Sequence, residues 1–381
     1  MDKVKRRYDI DWLRTLGVLL VIPFHSLIIF NLNPWAVVYI KDTTNVNLFI
    51  ILGNIIHRFH MPLLFMLAGM SVYFSLQSRT KNHFIVERIK KLLVPAIFGC
   101  IALNPIMTYI YLISTNQNGT FVAHLVNFFI KNPGDLSGIN GGFTPAHLWF
   151  IIYLFAFSLF GLPLFVQIKK YSSRNFLLKI AGFFEKPFML ILIVIPVTLL
   201  SAIDILDDKN PFVYFATFFI GYFLLTNEKY QEAINRDKWV YLVLSIILIF
   251  IHFNIPTDFT PWSCKWILYG FFDSTTRIVP VFALIGIGNR FMNKNSRVLE
   301  YLSKASFPVY IIHMLINTIV GFFVIKLGLG VGFKYTLIVA ITFTTSFALY
   351  EIIRRNKILG FLFAVKPFNR KSEVINFSKA L

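Results

Sequence analysis

Long apolar stretches separated by short polar loops dominate this 381-residue chain. The hydrocarbon core of a bilayer is crossed by about 20 apolar residues in a helix, and a helix satisfies all its backbone hydrogen bonds internally. The pattern therefore predicts an all-α, polytopic membrane bundle of about ten transmembrane helices. The predicted spans lie near residues 11–30, 48–76, 91–113, 147–167, 187–203, 211–226, 238–253, 266–288, 305–325 and 334–353.

Composition supports this class, since 56% of the residues are hydrophobic, only 14% are charged, and the mean hydropathy is +0.67. A soluble domain of this size needs more charge to cover its surface. No small-residue cleavage site follows the first apolar run, so we expect an uncleaved span rather than a signal peptide. Cys100 and Cys264 show no metal-ligand spacing, and they predict neither a disulfide framework nor a metal site.

The net charge of +19 is distributed as a membrane topology requires. With a cytoplasmic N-terminus, 28 of the 37 basic residues fall in cytoplasmic segments, six in outer segments and three within spans. This bias favours an even number of spans with both termini cytoplasmic. Because the charges lie in short loops, they do not indicate nucleic-acid binding. We expect a transmembrane domain over residues 1–353 and a basic cytoplasmic tail over 354–381 that lies on the lipid bilayer.

The first predicted span, DWLRTLGVLLVIPFHS, carries Asp11, Arg14 and His25. A charged group near the bilayer centre costs about 2.5–3.5 kcal/mol on insertion scales. His25 follows Arg14 by eleven residues, about three helical turns, so the two share a face roughly 16 Å apart. Arg14 is expected near the cytoplasmic side and His25 toward the outer leaflet. Two costly groups on one stripe favour a functional role.

The second predicted span places His60 just below the outer interface, at about the depth of the first-span histidine. His57 lies nearer the interface, where a histidine can simply bond a neighbouring helix. The side chain of Arg58 is expected to extend to the lipid headgroups. His124 and His252 are interpreted as ordinary interface residues.

Later spans add further polar groups to the membrane region. His147 and Trp149 open the fourth span at the outer face, and Asp273 and Arg277, four residues apart, could form a structural or functional pair. His313 falls near mid-depth. Together these groups predict a polar path across the membrane. Arg14 is expected near the cytoplasmic side, Arg277 and His313 at mid-depth, His25 and His60 toward the outer leaflet, and His147 at the outer opening.

These segments resemble the acyltransferase-3 family of integral membrane O-acyltransferases. The resemblance begins with the first span, RYDIDWLRTLGVLLVIPFHS, in which ten residues separate the arginine and the histidine. It continues in order with FHMPLLFMLAGMSVYFSLQSR, HFIVERIKKLLVP, HLWFIIYLFAFSLF and SFPVYIIHMLI. It runs from about residue 7 to 325 and includes the ten-span layout. Where the family usually has Ser-Gly, this chain has Ala68-Gly69, which keeps the small bulk and removes a hydroxyl.

The resemblance implies transfer of an acyl group from a cytoplasmic donor, commonly acyl-CoA, to a hydroxyl of an extracytoplasmic glycan. The segments FHMPLLF and HLWF are closer to the glucan-modifying branch, whose members include succinyltransferases. We therefore expect an acetyl- or succinyl-class acyl group and a location in a bacterial inner or plasma membrane. Acyl-CoA is the expected co-substrate, and no permanently bound cofactor is expected.

The resemblance also implies roles for individual residues, with Arg14 and His25 as the functional pair. A histidine, with an ordinary pKa of about 6.5, suits a general base for the acceptor hydroxyl and can also carry an acyl group transiently. Arg14 is expected to orient the donor or to stabilise developing negative charge. The resemblance matches His147, Trp149 and His313 to recurrent family positions, where substrate contacts are expected. Further substrate contacts are expected at other polar groups of the predicted spans, namely Asp11, His60, Asp273 and Arg277. Contacts to the phosphates of CoA are expected at Arg79, Arg88, Lys90 and Lys91, which equally serve as topogenic charge.

A transporter or flippase for a glycan or small solute is the alternative class, because embedded arginine, aspartate and histidine also mark transport pathways. Many transporters contain inverted repeats with Gly- or Pro-broken helices in matching halves. We find no such pairing in the sequence, and the enzyme is favoured.

Overall fold

A computed structural model of the chain describes residues 6–33, 38–117, 119–132, 136–171, 175–203, 205–256, 259–260 and 262–365, and within these ranges it is helical with no strand. The α-helices are α1 Tyr8–Leu19, α2 Val21–Ile28, α3 Asn47–Ser78, α4 Lys81–Arg88, α5 Val94–Ala102, α6 Asn104–Ser114, α7 Phe121–Ile130, α8 Trp149–Phe160, α9 Leu162–Tyr171, α10 Asn175–Phe184, α11 Val194–Ser201, α12 Pro211–Phe223, α13 Glu228–His252, α14 Cys264–Met292, α15 Arg297–Val324, α16 Val331–Ile353 and α17 Lys357–Leu362. Short segments of tighter or wider helix lie at Ile89–Leu93, Ala146–Leu148, Met189–Ile193 and Asp207–Lys209.

Helices long and apolar enough to cross a membrane confirm the prediction of an all-α, multi-span membrane protein. Within the described ranges there are six, or up to eight if each of two bent pairs forms one span. The six are Tyr8–Ile28, Asn47–Ser78, Lys81–Ser114, Cys264–Met292, Arg297–Val324 and Val331–Ile353. The bent pairs are Ala146–Phe160 with Leu162–Tyr171, at 51°, and Asn175–Phe184 with Met189–Ser201, at 118°.

Helices occupy all ten predicted positions, but besides the two bent pairs, α12 and α13 also differ from a simple span. The helix α12 has only 13 residues, fewer than the roughly 20 that cross a hydrocarbon core. The helix α13 has 25 residues, but its first half, EKYQEAINRDK, is polar and leaves a short apolar remainder. The number ten and the cytoplasmic termini therefore remain predictions.

The described residues group into two compact units. The first unit is drawn from residues 1–18, 50–86 and 153–303, and the second from 19–49, 87–152 and 304–381. The boundary after Val18 places Arg14 in the first unit and His25 in the second. Their shared face, inferred from helical spacing, remains a prediction.

The predicted tail contains a short helix near its start. Residues 357–362 form α17, which packs against α5 within the second unit. Residues 366–381 of the predicted tail lie outside the described residues. The predicted domain boundary at 353 remains a prediction.

Two glycines bring α3 and α12 together in the first unit. A Cβ atom added to Gly69 would lie 1.9 Å from the carbonyl oxygen of Phe218, and one added to Gly221 would lie 1.9 Å from that of Met66. Small residues allow membrane helices to pack backbone against backbone in this way. The Ala68-Gly69 step noted in the sequence therefore lies at a helix crossing.

The remaining core of the first unit forms around α13 and α14, which pack along each other. Tyr241 of α13 and Phe282 of α14 are fully buried, with ring centroids 5.7 Å apart. The helix α11 packs against both α12 and α14. These contacts hold α14 firmly, which matters because α14 carries Asp273 and Arg277.

A buried ion pair anchors the loop after α2 in the second unit. Lys334, near the start of α16, donates to Asp42 at 2.9 Å and to the carbonyl oxygen of Ile325 at 2.8 Å. The Lys334 and Asp42 side chains are 11% and 3% exposed. Burial raises the pKa of the Asp42 carboxyl, but hydrogen bonds from Lys334 and Thr44 outweigh it and lower the pKa. Asp42 is therefore a carboxylate that holds the loop against α16.

Lys41, the neighbour of Asp42, binds the end of α2. Its Nζ donates to the carbonyl oxygen of Ile28 at 3.2 Å and to that of Asn31. Cations near a helix C-terminus satisfy carbonyls that have no partner inside the helix. Burial lowers the pKa of Lys41 to about 8.

An amine-reactive ester is therefore expected to acylate Lys41 with a half-maximal rate near pH 8, because only the neutral amine reacts and its fraction rises as pH passes the pKa. Peptide mass spectrometry after short exposures to succinimidyl acetate across pH 6.5–10.5 measures this. A Lys41→Arg variant identifies the labelled peptide. A half-maximal rate close to that of an ordinary lysine, about pH 10.4, would contradict the prediction.

Candidate functional site

Three histidines from distant parts of the chain meet in the second unit, and we call His25, His147 and His313 the histidine cluster. The ring centroids of His25 and His313 are 5.4 Å apart, and those of His147 and His313 are 5.0 Å apart. His313 is fully buried, His147 is 8% exposed, and His25 is half-buried. His25 is thus the most accessible ring of the cluster. The sequence predicted the three histidines only as separate positions along a polar path across the membrane.

Hydrogen bonds define the tautomers of the two inner rings. His147 donates from Nε2 to the carbonyl oxygen of Ile311 at 3.0 Å, and His313 donates from Nδ1 to that of Tyr310 at 2.6 Å. A carbonyl oxygen only accepts, so the proton is on the ring nitrogen that faces it. The other nitrogens, Nδ1 of His147 and Nε2 of His313, are buried without a hydrogen-bond partner among the described residues. Each therefore offers a free lone pair inside the cluster.

The predicted difference in depth between His147 and His313 is wrong. Their rings lie in edge-to-face contact, and the Tyr310 hydroxyl also donates to the carbonyl oxygen of His147. The depth estimate assumed a constant rise per residue along separate helices. It could not include the short helical turn Ala146–Leu148, which precedes α8 and in which Ala146 has a φ of 45°.

A second link joins α2 to α15 beside the histidine cluster. Asn317 donates to the Ser26 hydroxyl at 2.6 Å, and that hydroxyl donates to the carbonyl oxygen of Ile22 at 2.8 Å. Ser26 and Asn317 are both buried. The link therefore fixes the backbone next to His25 independently of the His25 ring.

Sequence reasoning missed Tyr310, Asn317 and Ser26. A signal for the first two was present, because Tyr310, His313 and Asn317 follow the i, i+3, i+7 spacing of one helical face in SFPVYIIHMLIN. Ser26 gave no signal, because an isolated serine in an apolar helix usually bonds its own backbone. Trp149, a predicted contact, begins α8 and is half-buried.

Arg14 lies within a network of side chains in the first unit. Asp11 accepts from Arg14 at 2.8 Å through one oxygen and from Arg6 at 2.9 Å through the other. Arg14 also donates to the Ser71 hydroxyl at 3.3 Å. Asp11 therefore orients Arg14, which suggests a positioning role for this carboxylate rather than the predicted substrate contact.

Another group of charges in the first unit, which we call the charged cluster, consists of Arg58, His252, Asp273 and Arg277. Arg277 donates from Nε to Asp273 at 2.9 Å, as the spacing of four predicted. Arg58 donates to the other oxygen of Asp273 and contacts His252. The predictions that Arg58 extends to the headgroups and that His252 is an ordinary interface residue are therefore wrong. Sequence could not show that one carboxylate would hold arginines from two helices.

Asp273→Asn is expected to lower the free energy of unfolding by about 3 kcal/mol, because removing one partner leaves two partly buried arginines without their counter-charge. Thermal unfolding in detergent measures the change. Asp208→Asn is the matched control, since Asp208 is half-exposed and its pairing with His57 contributes less than about 1 kcal/mol. Equal losses in the two variants would contradict the prediction.

His60 lies in the first unit and is buried. Its ring donates from Nε2 to the carbonyl oxygen of Gly17 at 2.7 Å, which joins α3 to α1. This is the kind of helix-to-helix bond that stabilises membrane bundles. A substrate contact for His60 remains a prediction.

The predicted phosphate-binding residues are divided between the two units. Arg79 belongs to the first and donates to the Ser75 hydroxyl at 2.6 Å. Arg88, Lys90 and Lys91 belong to the second, where a π-helical segment, Ile89–Leu93, follows Arg88. Lys90 and Lys91 are exposed, but Lys91 pairs with Glu87 at 2.6 Å. Lys90 is consequently the more available cation of the two.

The amino-acid sequence of the chain matches a known protein family. The profile of the acyltransferase-3 family, described as an acyltransferase domain, matches residues 7–351. Proteins called Glucans biosynthesis protein C from Salmonella typhi, Salmonella typhimurium and Salmonella schwarzengrund are each 24% identical to this chain, and each alignment covers 95% of both chains. No solved structure matches the chain.

Proposed function

This chain belongs to the acyltransferase-3 family, and from that premise we propose that it moves an acetyl- or succinyl-class group from cytoplasmic acyl-CoA to a hydroxyl of an extracytoplasmic glycan. It is a multi-pass membrane enzyme that transfers acyl groups other than amino-acyl groups. The name of its relatives, Glucans biosynthesis protein C, supports a glucan as the glycan.

The proposal includes a topology of ten spans with both termini in the cytoplasm of a bacterial cell. Helices at all ten predicted positions and the cytoplasmic excess of basic residues support it. In that topology the amino-terminal network around Arg14 faces the donor side. The start of α8, with His147, faces the acceptor side.

The histidine cluster is the observation that carries the proposed chemistry. His25, the accessible ring, takes the proton of the acceptor hydroxyl as the hydroxyl oxygen attacks the thioester carbonyl. The carbon–sulfur bond then breaks, and the departing CoA thiolate takes that proton. The free lone pairs of His147 and His313 give the cluster acceptors for substrate hydroxyls. Transient acylation of His25 is the alternative route to the same products.

Arg14 and the basic residues hold the donor in this proposal. Asp11 fixes the Arg14 guanidinium, which then has donors in a defined direction for the thioester oxygen or the developing oxyanion. The phosphates of CoA are bound by arginine and lysine side chains. The residues proposed for this are Arg79, Arg88, Lys90 and Lys91.

Proteoliposomes with labelled succinyl-CoA or acetyl-CoA inside and a neutral glucan outside test the proposed function. We expect labelled ester on the glucan and release of CoA in equal amount. Empty liposomes and liposomes with heat-inactivated protein are the controls. Movement of unmodified glucan or solute across the bilayer, without ester formation, would instead support the transporter class and overturn the proposal.

A further inference from the structure

A cavity of about 210 Å³ lies in the first unit. One face of α14 forms a wall of it, because Trp266, Tyr269, Asp273 and Arg277 follow helical spacing over three turns. Asp208, from the short helical turn Asp207–Lys209 before α12, also lines the cavity. Two aromatic rings and three charged groups therefore surround one small space.

Gly270 keeps this space open. A Cβ atom at Gly270 would have one neighbour within 4 Å, a methyl carbon of Thr198 at 3.7 Å, which is an ordinary contact. At Gly69 and Gly221, by contrast, the backbone of the facing helix lies so close that it leaves no room for a Cβ atom. The missing side chain at Gly270 therefore contributes to the volume of the cavity rather than to helix packing.

The polar groups of the cavity retain capacity for a ligand. Arg277 uses Nε to bind Asp273, and its two terminal nitrogens make no hydrogen bond among the described residues. Asp208 uses one oxygen to bind His57, at 3.3 Å, and its other oxygen has no such bond within the same ranges. Burial raises the pKa of Asp208, but the hydrogen bond and charge of His57 lower it more, so the carboxylate is an acceptor at neutral pH.

Charge balance indicates which ligand fits. Of the charged side chains that line the cavity, two are carboxylates, Asp208 and Asp273, and one is a cation, Arg277, so its wall has no excess of positive charge for a phosphate or nucleotide. Carboxylates and a guanidinium bind hydroxyl groups as acceptors and donors, and an aromatic ring offers a flat apolar face. A pyranose ring presents both kinds of surface, with hydroxyls at its edge and C–H groups on its face. The volume suits a single sugar unit rather than a drug-sized ligand.

We propose that this cavity binds one neutral hexose unit of the acceptor glycan, with the ring against Trp266 or Tyr269 and its hydroxyls on Asp208 and Arg277. This deepens the proposed function and rests on it, since it assigns a subsite to the acceptor of that reaction. In the proposed topology the cavity opens on the acceptor side, because the loops before α12 and α14 are outer loops.

Two variants test the subsite without removing a charge. Trp266→Ala deletes an aromatic wall, and Gly270→Leu fills the cavity at a helical position where a side chain has room and where replacing glycine favours the helix. Trp239→Ala is the matched control, because Trp239 is an exposed tryptophan of α13 that does not line the cavity. Thermal unfolding confirms that each variant is folded.

Binding of neutral glucose di- to tetrasaccharides to protein in nanodiscs is measured by saturation-transfer NMR. We expect both variants to weaken binding at least tenfold and the Trp239→Ala protein to bind as wild type. No binding to wild type, unchanged binding in both variants, or tighter binding of inorganic phosphate would overturn the subsite.

Activity assays separate failure of the subsite from failure of the proposed function. In proteoliposomes, the two variants are expected to raise the KM for the glucan at least tenfold while leaving the KM for acyl-CoA within twofold. Acyl transfer with an unchanged KM for the glucan overturns the subsite and leaves the function intact. If the protein forms no ester but binds sugar in a way that depends on Trp266, the proposed acyl transfer is overturned and the sugar site stands.

Discussion

His25→Ala protein is expected to assemble in the membrane but to transfer acyl groups at least about 100-fold more slowly than wild type. A general base typically contributes between about 10² and 10⁴ to the rate, and alanine cannot take the proton of the acceptor hydroxyl. The fold should survive, because the bond between Asn317 and Ser26 holds the adjacent backbone without the imidazole. The measurement is the initial rate of ester formation from labelled acyl-CoA in proteoliposomes.

His83→Ala is the control for this experiment, since His83 is an exposed histidine near the start of α4. A His25→Ala rate within threefold of wild type would contradict the assignment of the base. A single-turnover experiment then separates the two possible roles of His25. An acyl carrier retains label on the protein until acceptor is added, whereas a general base leaves the protein unlabelled.

Gly69→Ala and Gly221→Ala are each expected to lower the free energy of unfolding by about 3 kcal/mol or more. Overpacking in a core costs about 1–3 kcal/mol when side chains can shift, and occasionally more. Here each new methyl group would meet a backbone carbonyl oxygen at 1.9 Å, so a whole helix must move. Thermal unfolding and the fraction of monodisperse protein after detergent extraction measure the loss.

The two glycines are also expected to be coupled. Both lie at the crossing of α3 and α12, so separating the helices for one methyl group makes room for the other. The double variant should therefore lose less than the sum of the single variants, by about 0.5–3 kcal/mol. Gly182→Ala is the control, because a Cβ there has no neighbour within 4 Å, and it should be neutral or slightly stabilising. Additive losses, or an equal loss at Gly182, would contradict the packing argument.

The positions of the helices were predictable because a membrane-spanning helix needs a certain length and hydropathy, and both can be measured along the sequence. Every predicted span overlaps one or more helices, and most boundaries agree within a few residues. The helices α13 and α15 are exceptions, since they begin ten and eight residues before the predicted starts at 238 and 305. The pattern could not show that α12 would be only 13 residues long or that α10 and Met189–Ser201 would meet at 118°. Such features depend on packing between helices, for which hydropathy contains no information.

The candidate site was partly predictable for the same reason. Residues four apart on a helix necessarily lie near each other, so the pair of Asp273 and Arg277 could be predicted. The contact of Arg58 with Asp273 joins residues 215 positions apart, and nothing local to either indicates it. His147 and His313 were identified as candidates individually, but their contact also required tertiary structure.

The buried pair of Lys334 and Asp42 implies that different parts of the second unit respond differently to ionic strength. Mobile ions screen exposed charges over about 8 Å at physiological salt and reach buried pairs much less. A rise in salt should therefore leave the loop after α2 anchored to α16, since both partners are nearly inaccessible. Exposed Lys90 has no such protection. In a cell whose surroundings change in osmolarity, the proposed binding of an anionic donor near Lys90 would weaken, while the loop after α2 would keep its shape.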